Sequence, residues 1–180
     1  MSSPTDFATL ESRLPDTAKD LRLNLSSVVR SENLNPTQLW GTVLASALAT
    51  RQADLIRAAH AEASKRLTPE LVAAARTAAA LMAMNNVFYR FRHLVEDPEY
   101  GNVPARLRMQ GLQTHGAPAE DFELWSLAVS AINGCGMCMQ AHERKLRAAG
   151  VSRESVNDAV RIAAVLAAVA AVIDQESALA

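Results

Sequence analysis

Ile162-Ala163-Ala164-Val165-Leu166-Ala167-Ala168-Val169-Ala170-Ala171-Val172-Ile173 is the longest uninterrupted apolar run in the chain. Its twelve residues are too many for an ordinary strand of about 5–6 residues and too few for the ~18 that suggest a membrane span, so the run predicts a buried helix. Ala78-Ala79-Ala80-Leu81-Met82-Ala83 matches its first half, Ile162 to Ala167, and both segments follow a capping sequence, Thr68-Pro69-Glu70 and Ser152-Arg153-Glu154. Gln38-Leu39-Trp40 returns as Glu123-Leu124-Trp125 after 85 residues, and Leu67-Thr68-Pro69-Glu70 as Val151-Ser152-Arg153-Glu154 after 84. The chain is therefore expected to be one all-α domain over residues 1–180 with an internal two-fold repeat of helical units, at about 36–96 and about 119–178.

Composition agrees with that class and excludes others. With 49% hydrophobic and 21% charged residues, the 180-residue chain is too apolar for disorder. Eighteen basic against nineteen acidic side chains leave a net charge of −1, which offers no basic surface excess for nucleic acid. Aromatic residues make up only 4%, and strand-rich domains need more, so no strand is expected. Met1-Ser2-Ser3-Pro4-Thr5-Asp6 has neither a basic nor an apolar signal segment, which points to a cytoplasmic protein with no membrane partner. Two cysteines cannot build a disulfide scaffold, and a close pair in a reducing compartment reads as catalytic or metal-binding.

The remaining helices follow from caps and periodicity. Ser3-Pro4 opens a short one, and Asp16 caps a second bearing Leu21, Leu25, Val28 and Val29. Asn35-Pro36 starts a helix to about Thr50, with Leu39, Trp40, Val43, Leu44 and Ala47 on its apolar side. Ala53 to Arg66 and Pro69 to about Leu94 follow, and Asp97-Pro98-Glu99-Tyr100-Gly101 ends the latter. A short helix is expected near Pro104–Gln113, another from Pro118 to Ile132, a third from Cys135 to a stop at Gly150, and a last one capped by Ser152.

Cys135, Cys138 and His142 stand at i, i+3 and i+7, within an arc of roughly 60° on one helix face. Asn133-Gly134 places Cys135 at the helix N-terminus, where free N–H groups and the dipole favour a thiolate. Glu123 on the preceding helix completes a base and proton relay with His142. The same four residues could instead hold zinc, and the thiols could be inert core residues. Haem attachment is excluded by Met139 where the motif needs histidine, and an iron–sulfur cluster needs four cysteines. His60, His93 and His115 lack a second ligand or nucleophile at useful spacing and are read as structural. Trp40, Trp125, Met82 and Met84 are read as packing residues. Asn85 and Asn86 are read as a buried amide network, with a substrate-channel role as the alternative.

The segment from Glu123-Leu124-Trp125 to Ala141-His142-Glu143 resembles the signature of the alkyl hydroperoxide reductase D (AhpD) family, a branch of the carboxymuconolactone decarboxylase-like proteins. Leu23-Asn24-Leu25-Ser26-Ser27, Gln38-Leu39-Trp40-Gly41 and Met84-Asn85-Asn86-Val87-Phe88-Tyr89-Arg90 extend the likeness over the chain. The resemblance implies an all-helical homotrimer that reduces organic hydroperoxides and passes electrons to a partner peroxiredoxin, AhpC. No tightly bound cofactor is implied. The reductant would be dihydrolipoamide carried on a lipoyl-bearing dihydrolipoamide acyltransferase and recharged by dihydrolipoamide dehydrogenase. It also implies that Cys138 attacks the peroxide and becomes a sulfenic acid, that Cys135 condenses with it to a disulfide, and that Glu123 and His142 manage the protons. The helix-terminus argument, by contrast, favours Cys135 as the more acidic thiol. Some members carry a histidine just before the second cysteine; this chain has Met137, so Glu123, His142 and water are expected to suffice.

Two other readings remain: a dithiol electron-transfer adaptor with little direct peroxidase activity, and a non-catalytic helical assembly protein with structural or zinc-bound thiols. Self-association is expected in either case, because the run Ile162–Ile173 is apolar on nearly every side and one small domain can hardly surround it.

Overall fold

The computed structural model describes residues 6–180, and among them it contains ten α-helices, one 3₁₀ turn and no strand. The helices are α1 (Phe7–Ser12), α2 (Lys19–Val28), α3 (Pro36–Thr50), α4 (Ala53–Ser64), α5 (Pro69–Leu94), α6 (Glu99–Asn102), α7 (Gly111–Thr114), α8 (Ala119–Ile132), α9 (Gly136–Ala148) and α10 (Arg153–Leu179), with the 3₁₀ turn at Asp16–Ala18. A medium, a short and a long helix follow one another twice, α3–α4–α5 and α8–α9–α10. Caps fix where they begin. Asn35 and Gln38 exchange side-chain and backbone hydrogen bonds as a capping box in front of Pro36. Thr68 and Ser152 accept from Leu71 N–H and Ser155 N–H at the heads of the two long helices.

At the centre, α3 packs on α5, α8 and α10, and α8 also packs on α5 and α10. Leu44, Leu124, Trp125, Ile162 and Leu166 fill this core and are fully buried, and Trp40 is nearly so. α3 and α8 approach each other closely. A Cβ on Gly41 would lie 2.1 Å from Trp125 Cε2, so the indole occupies the space any other residue would need. Gly41→Ala should cost about 3 kcal/mol or more, because the fully buried indole has nowhere to retreat. At this chain length that is a drop of ~6–12 °C in melting temperature by calorimetry, and an unchanged transition would contradict the packing.

Several expectations are corrected. Ser3-Pro4 lies outside the described residues, and the first helix is capped by Asp6, whose carboxylate accepts from Thr9 N–H at 2.7 Å. Asp16 is not a cap. It sits inside the 3₁₀ turn and pairs with Arg22 at 2.6 Å. The helix from Ala53 stops at Ser64 rather than Arg66. Glu99–Asn102 forms one helical turn within the segment expected only to terminate α5. Of the helix expected at Pro104–Gln113, only Gly111–Thr114 is helical, since Arg106 adopts φ +52° and interrupts the segment.

Helices α5 and α10 are each long and apolar enough by composition to cross a membrane, but in this fold both carry core residues along their length. On α10 the large side chains Ile162, Leu166, Val169 and Ile173 are buried, and Ala164 and Ala171 are exposed. Alanine thus makes the run from Ile162 to Ile173 apolar all round without exposing bulk. Apart from Leu179 at the end of α10 and Leu23 on α2, the large exposed apolar side chains are Val87, Phe91 and Leu94 on successive turns of α5, followed by Val95, Tyr100 and Val103.

Candidate active site

The turn between α8 and α9 builds the site. Gly134 adopts φ +67°, a conformation that glycine reaches without penalty. It closes α8 with two bonds, Gly134 N–H to Ala131 O at 3.2 Å and Cys135 N–H to Ser130 O at 3.0 Å, the paired pattern of a Schellman stop. α5 braces this turn from the side. Arg90 Nη1 donates to Asn133 O at 2.6 Å, Asn133 Nδ2 to Asn86 Oδ1 at 2.9 Å, and Asn86 Nδ2 to Ser130 Oγ at 2.9 Å. Asn86 therefore belongs to a buried amide network, as its sequence context suggested.

The brace leaves Cys135 as the N-cap of α9, one residue ahead of the helix it was expected to begin. Its Sγ accepts from Cys138 N–H at 3.3 Å. Cys135 and Cys138 are joined by a disulfide across a Cα separation of 5.3 Å. The two sulfurs differ in access: Cys135 is fully buried, and Cys138 keeps 6% of its surface. Cys138 also lines a cavity of about 310 Å³ walled by Met82, Met109, Leu112, Phe122 and Met137, with Asn85, Tyr89, Glu123, His142 and Lys145 as its polar groups. Larger grooves of about 550 and 530 Å³ run beside α3 and α5, but Ala and Arg residues line most of them and neither reaches a cysteine.

Glu123 on α8 reaches across to α9 with both oxygens. Oε2 contacts His142 Nδ1 at 2.5 Å, and Oε1 accepts from Lys145 Nζ at 2.6 Å, the two partners lying one turn apart on the same face. Burial pushes the Glu123 carboxyl up, but the hydrogen bonds and charges of His142 and Lys145 outweigh it, and the net displacement is below the ordinary glutamate value. An ionised carboxylate only accepts, so His142 Nδ1 carries the hydrogen. Nε2, which then carries the lone pair, faces Met82 Sδ at 3.3 Å on the cavity side, where it can take up a proton and later pass it on.

All four residues singled out from the sequence come together here. Among the described residues, however, no group of three or more His, Cys, Asp or Glu side chains is placed to hold a metal ion. Glu123 and His142 spend their facing atoms on each other. His115 stacks on Phe122 with ring centroids 3.9 Å apart and accepts from Ala117 N–H, while burial pushes its pKa down against a weaker upward pull from Glu123. His60 and His93 are exposed.

Lys145, Met109 and Leu112 were not found from the sequence, and Asn85, read first as part of the amide network, instead faces the cavity, the place its alternative reading gave it. Lys145 was within reach of the sequence, three residues after His142 on the same helical face. Met109 and Leu112 come from the segment before α8, where Leu112 lies on the four-residue α7 and Met109 just ahead of it.

Residues 98–180 match the model of the carboxymuconolactone decarboxylase family. The chain is 54% identical to the alkyl hydroperoxide reductase AhpD of Streptomyces griseus over 95% of its length and 97% of that protein's. It is 55% identical to the AhpD of Streptomyces coelicolor, over 95% and 96% of the two chains. With the AhpD of Gluconacetobacter diazotrophicus the identity is 54%, over 95% and 94%.

Proposed function

The chain belongs to the alkyl hydroperoxide reductase D family of the carboxymuconolactone decarboxylase-like superfamily, and on that premise we propose that it is a cytoplasmic lipoyl-dependent peroxidase. It reduces organic hydroperoxides and regenerates a partner peroxiredoxin, AhpC. One observation carries the reading: a Cys135–Cys138 disulfide whose outer sulfur opens into an apolar cavity beside the Glu123–His142 pair.

In the reduced protein, His142 Nε2 takes the proton of the Cys138 thiol, and the thiolate attacks the terminal oxygen of the hydroperoxide. The O–O bond breaks, sulfur is oxidised by two electrons to sulfenic acid, and the departing alkoxide takes a proton from His142 Nε2 to leave as alcohol. Cys135 thiol then attacks the Cys138 sulfur, the S–O bond breaks, and water and the disulfide form. Dihydrolipoamide reopens it by two exchanges, ending as lipoamide while both cysteines return to thiols. The buried, N-capping Cys135 is suited to be the leaving thiolate, because the N–H groups at the head of α9 stabilise it while the incoming thiolate approaches Cys138 from the cavity. The peroxiredoxin disulfide would enter the same exchange in reverse.

The test is NADH oxidation coupled through dihydrolipoamide dehydrogenase and a lipoyl-bearing acyltransferase to cumene hydroperoxide, with and without the peroxiredoxin. Turnover without the peroxiredoxin supports the peroxidase. Turnover only in its presence would reduce the protein to an adaptor, and metal with unreactive thiols would end both readings.

We further propose a homotrimer, with the exposed α5 stripe of Val87, Phe91 and Leu94 as its apolar contact. Light scattering should give the mass of three chains, and the double variant Phe91→Glu, Leu94→Glu should shift it to one. A wild-type monomer at micromolar concentration would refute the assembly.

A further inference from the structure

Asn85 is 4% exposed, and its Oδ1 has no hydrogen-bond partner, although a buried amide left unpaired is costly. Its neighbour Asn86 shows that the same helix can satisfy such a group, for both its amide atoms are bonded. Asn85 instead lies on the α5 face that carries Met82 and Tyr89, three residues before it and four after, and all three line the cavity that holds Cys138 and His142. Three methionines, Leu112 and Phe122 form the apolar part of the wall, so an occupant that satisfies the Asn85 oxygen must bring a hydrogen-bond donor on a body with an apolar side.

We propose that Asn85 is a substrate-binding residue that accepts the terminal O–H of an organic hydroperoxide and holds that oxygen toward Cys138. The proposal rests on the peroxidase reading and adds how the substrate is oriented. A hydroperoxide has a single donor, on the oxygen the sulfur takes. After attack that oxygen and its hydrogen become the sulfenic acid on Cys138 while the alkoxide leaves as alcohol with a proton from His142, so the bond to Asn85 persists through the step and no further reactant is needed. Lipoamide has no hydroxyl at its sulfurs, so the exchange half of the cycle does not use the amide.

The experiment compares wild type with Asn85→Leu, which keeps approximate shape and removes the acceptor. The fully reduced proteins are oxidised under single-turnover conditions by cumene hydroperoxide or by lipoamide, and melting is measured in parallel. The expected result is a hydroperoxide rate constant about tenfold or more lower, a lipoamide rate within about twofold, and a melting temperature equal or higher because an unpaired buried amide is gone. A structural amide would give the opposite: lower stability and an equal loss with both oxidants. Unchanged cumene hydroperoxide kinetics, parallel loss with both oxidants, or a lower melting temperature would overturn the assignment. A wild type that reacts with lipoamide and not with cumene hydroperoxide would instead overturn the peroxidase reading on which it rests.

Discussion

Cys138→Ser should abolish hydroperoxide turnover, by more than about a thousandfold, whereas Cys135→Ser should consume one equivalent of cumene hydroperoxide and stop with a sulfenic acid on Cys138. Two physical effects pull in opposite directions here. The head of α9 favours negative charge on Cys135, whose sulfur accepts the Cys138 N–H, and that alone would make Cys135 the better thiolate. Access opposes it, because Cys135 has no exposed surface and Cys138 opens on the cavity. A sulfur that the oxidant cannot touch does not react however acidic it is, so access decides the attacking role and acidity decides which sulfur leaves during reduction. Dimedone labelling followed by mass spectrometry reads the outcome directly. Label on Cys135 in the Cys138→Ser variant, with none on Cys138 in Cys135→Ser, would reverse the assignment.

The sequence was most legible where chemistry repeats at helical spacing. Asn35-Pro36, Thr68-Pro69 and Ser152 carry cap chemistry that acts within four residues, and the helices they open begin where expected. Cys135, Cys138 and His142 were visible for the same reason, since one helix face is a local property. The segment from residue 97 to 118 was not legible. Its two helical turns are four residues each, and Arg106 takes a positive φ that its side chain does not announce. That segment supplies Met109 and Leu112 to the cavity, so the apolar wall of the site was hidden with it. Asn85 was hidden differently. Its position on α5 is clear from sequence, but whether a buried amide finds a partner is settled by what faces it across the fold, and Asn86 one residue away has the opposite answer.

Glu123→Gln should lower the hydroperoxide rate about a hundredfold while costing only about 1 kcal/mol, or ~2–4 °C in melting temperature. The rate effect is the larger because the carboxylate fixes a tautomer. With Glu123 ionised, His142 must present its hydrogen on Nδ1, which leaves Nε2 to exchange protons over the cavity. A neutral amide can turn its NH₂ toward the ring and accept nothing, and the histidine is then free to place its hydrogen on the wrong nitrogen. The stability effect is small because Lys145, the other partner, is 63% exposed and loses little by facing water. The pH dependence has a definite sign. The Glu123 carboxyl lies below its ordinary 4.5 in the folded chain, so its stabilising contribution is complete above that value and disappears as pH falls through the lower, folded one. Between pH 5 and 8 the wild type should therefore show no loss of rate from protonation of this group, and the hundredfold gap to Glu123→Gln should stay constant across that interval. A gap that closes toward pH 5 would mean that Glu123 is protonating there, and that its bonds to His142 and Lys145 do not hold it ionised.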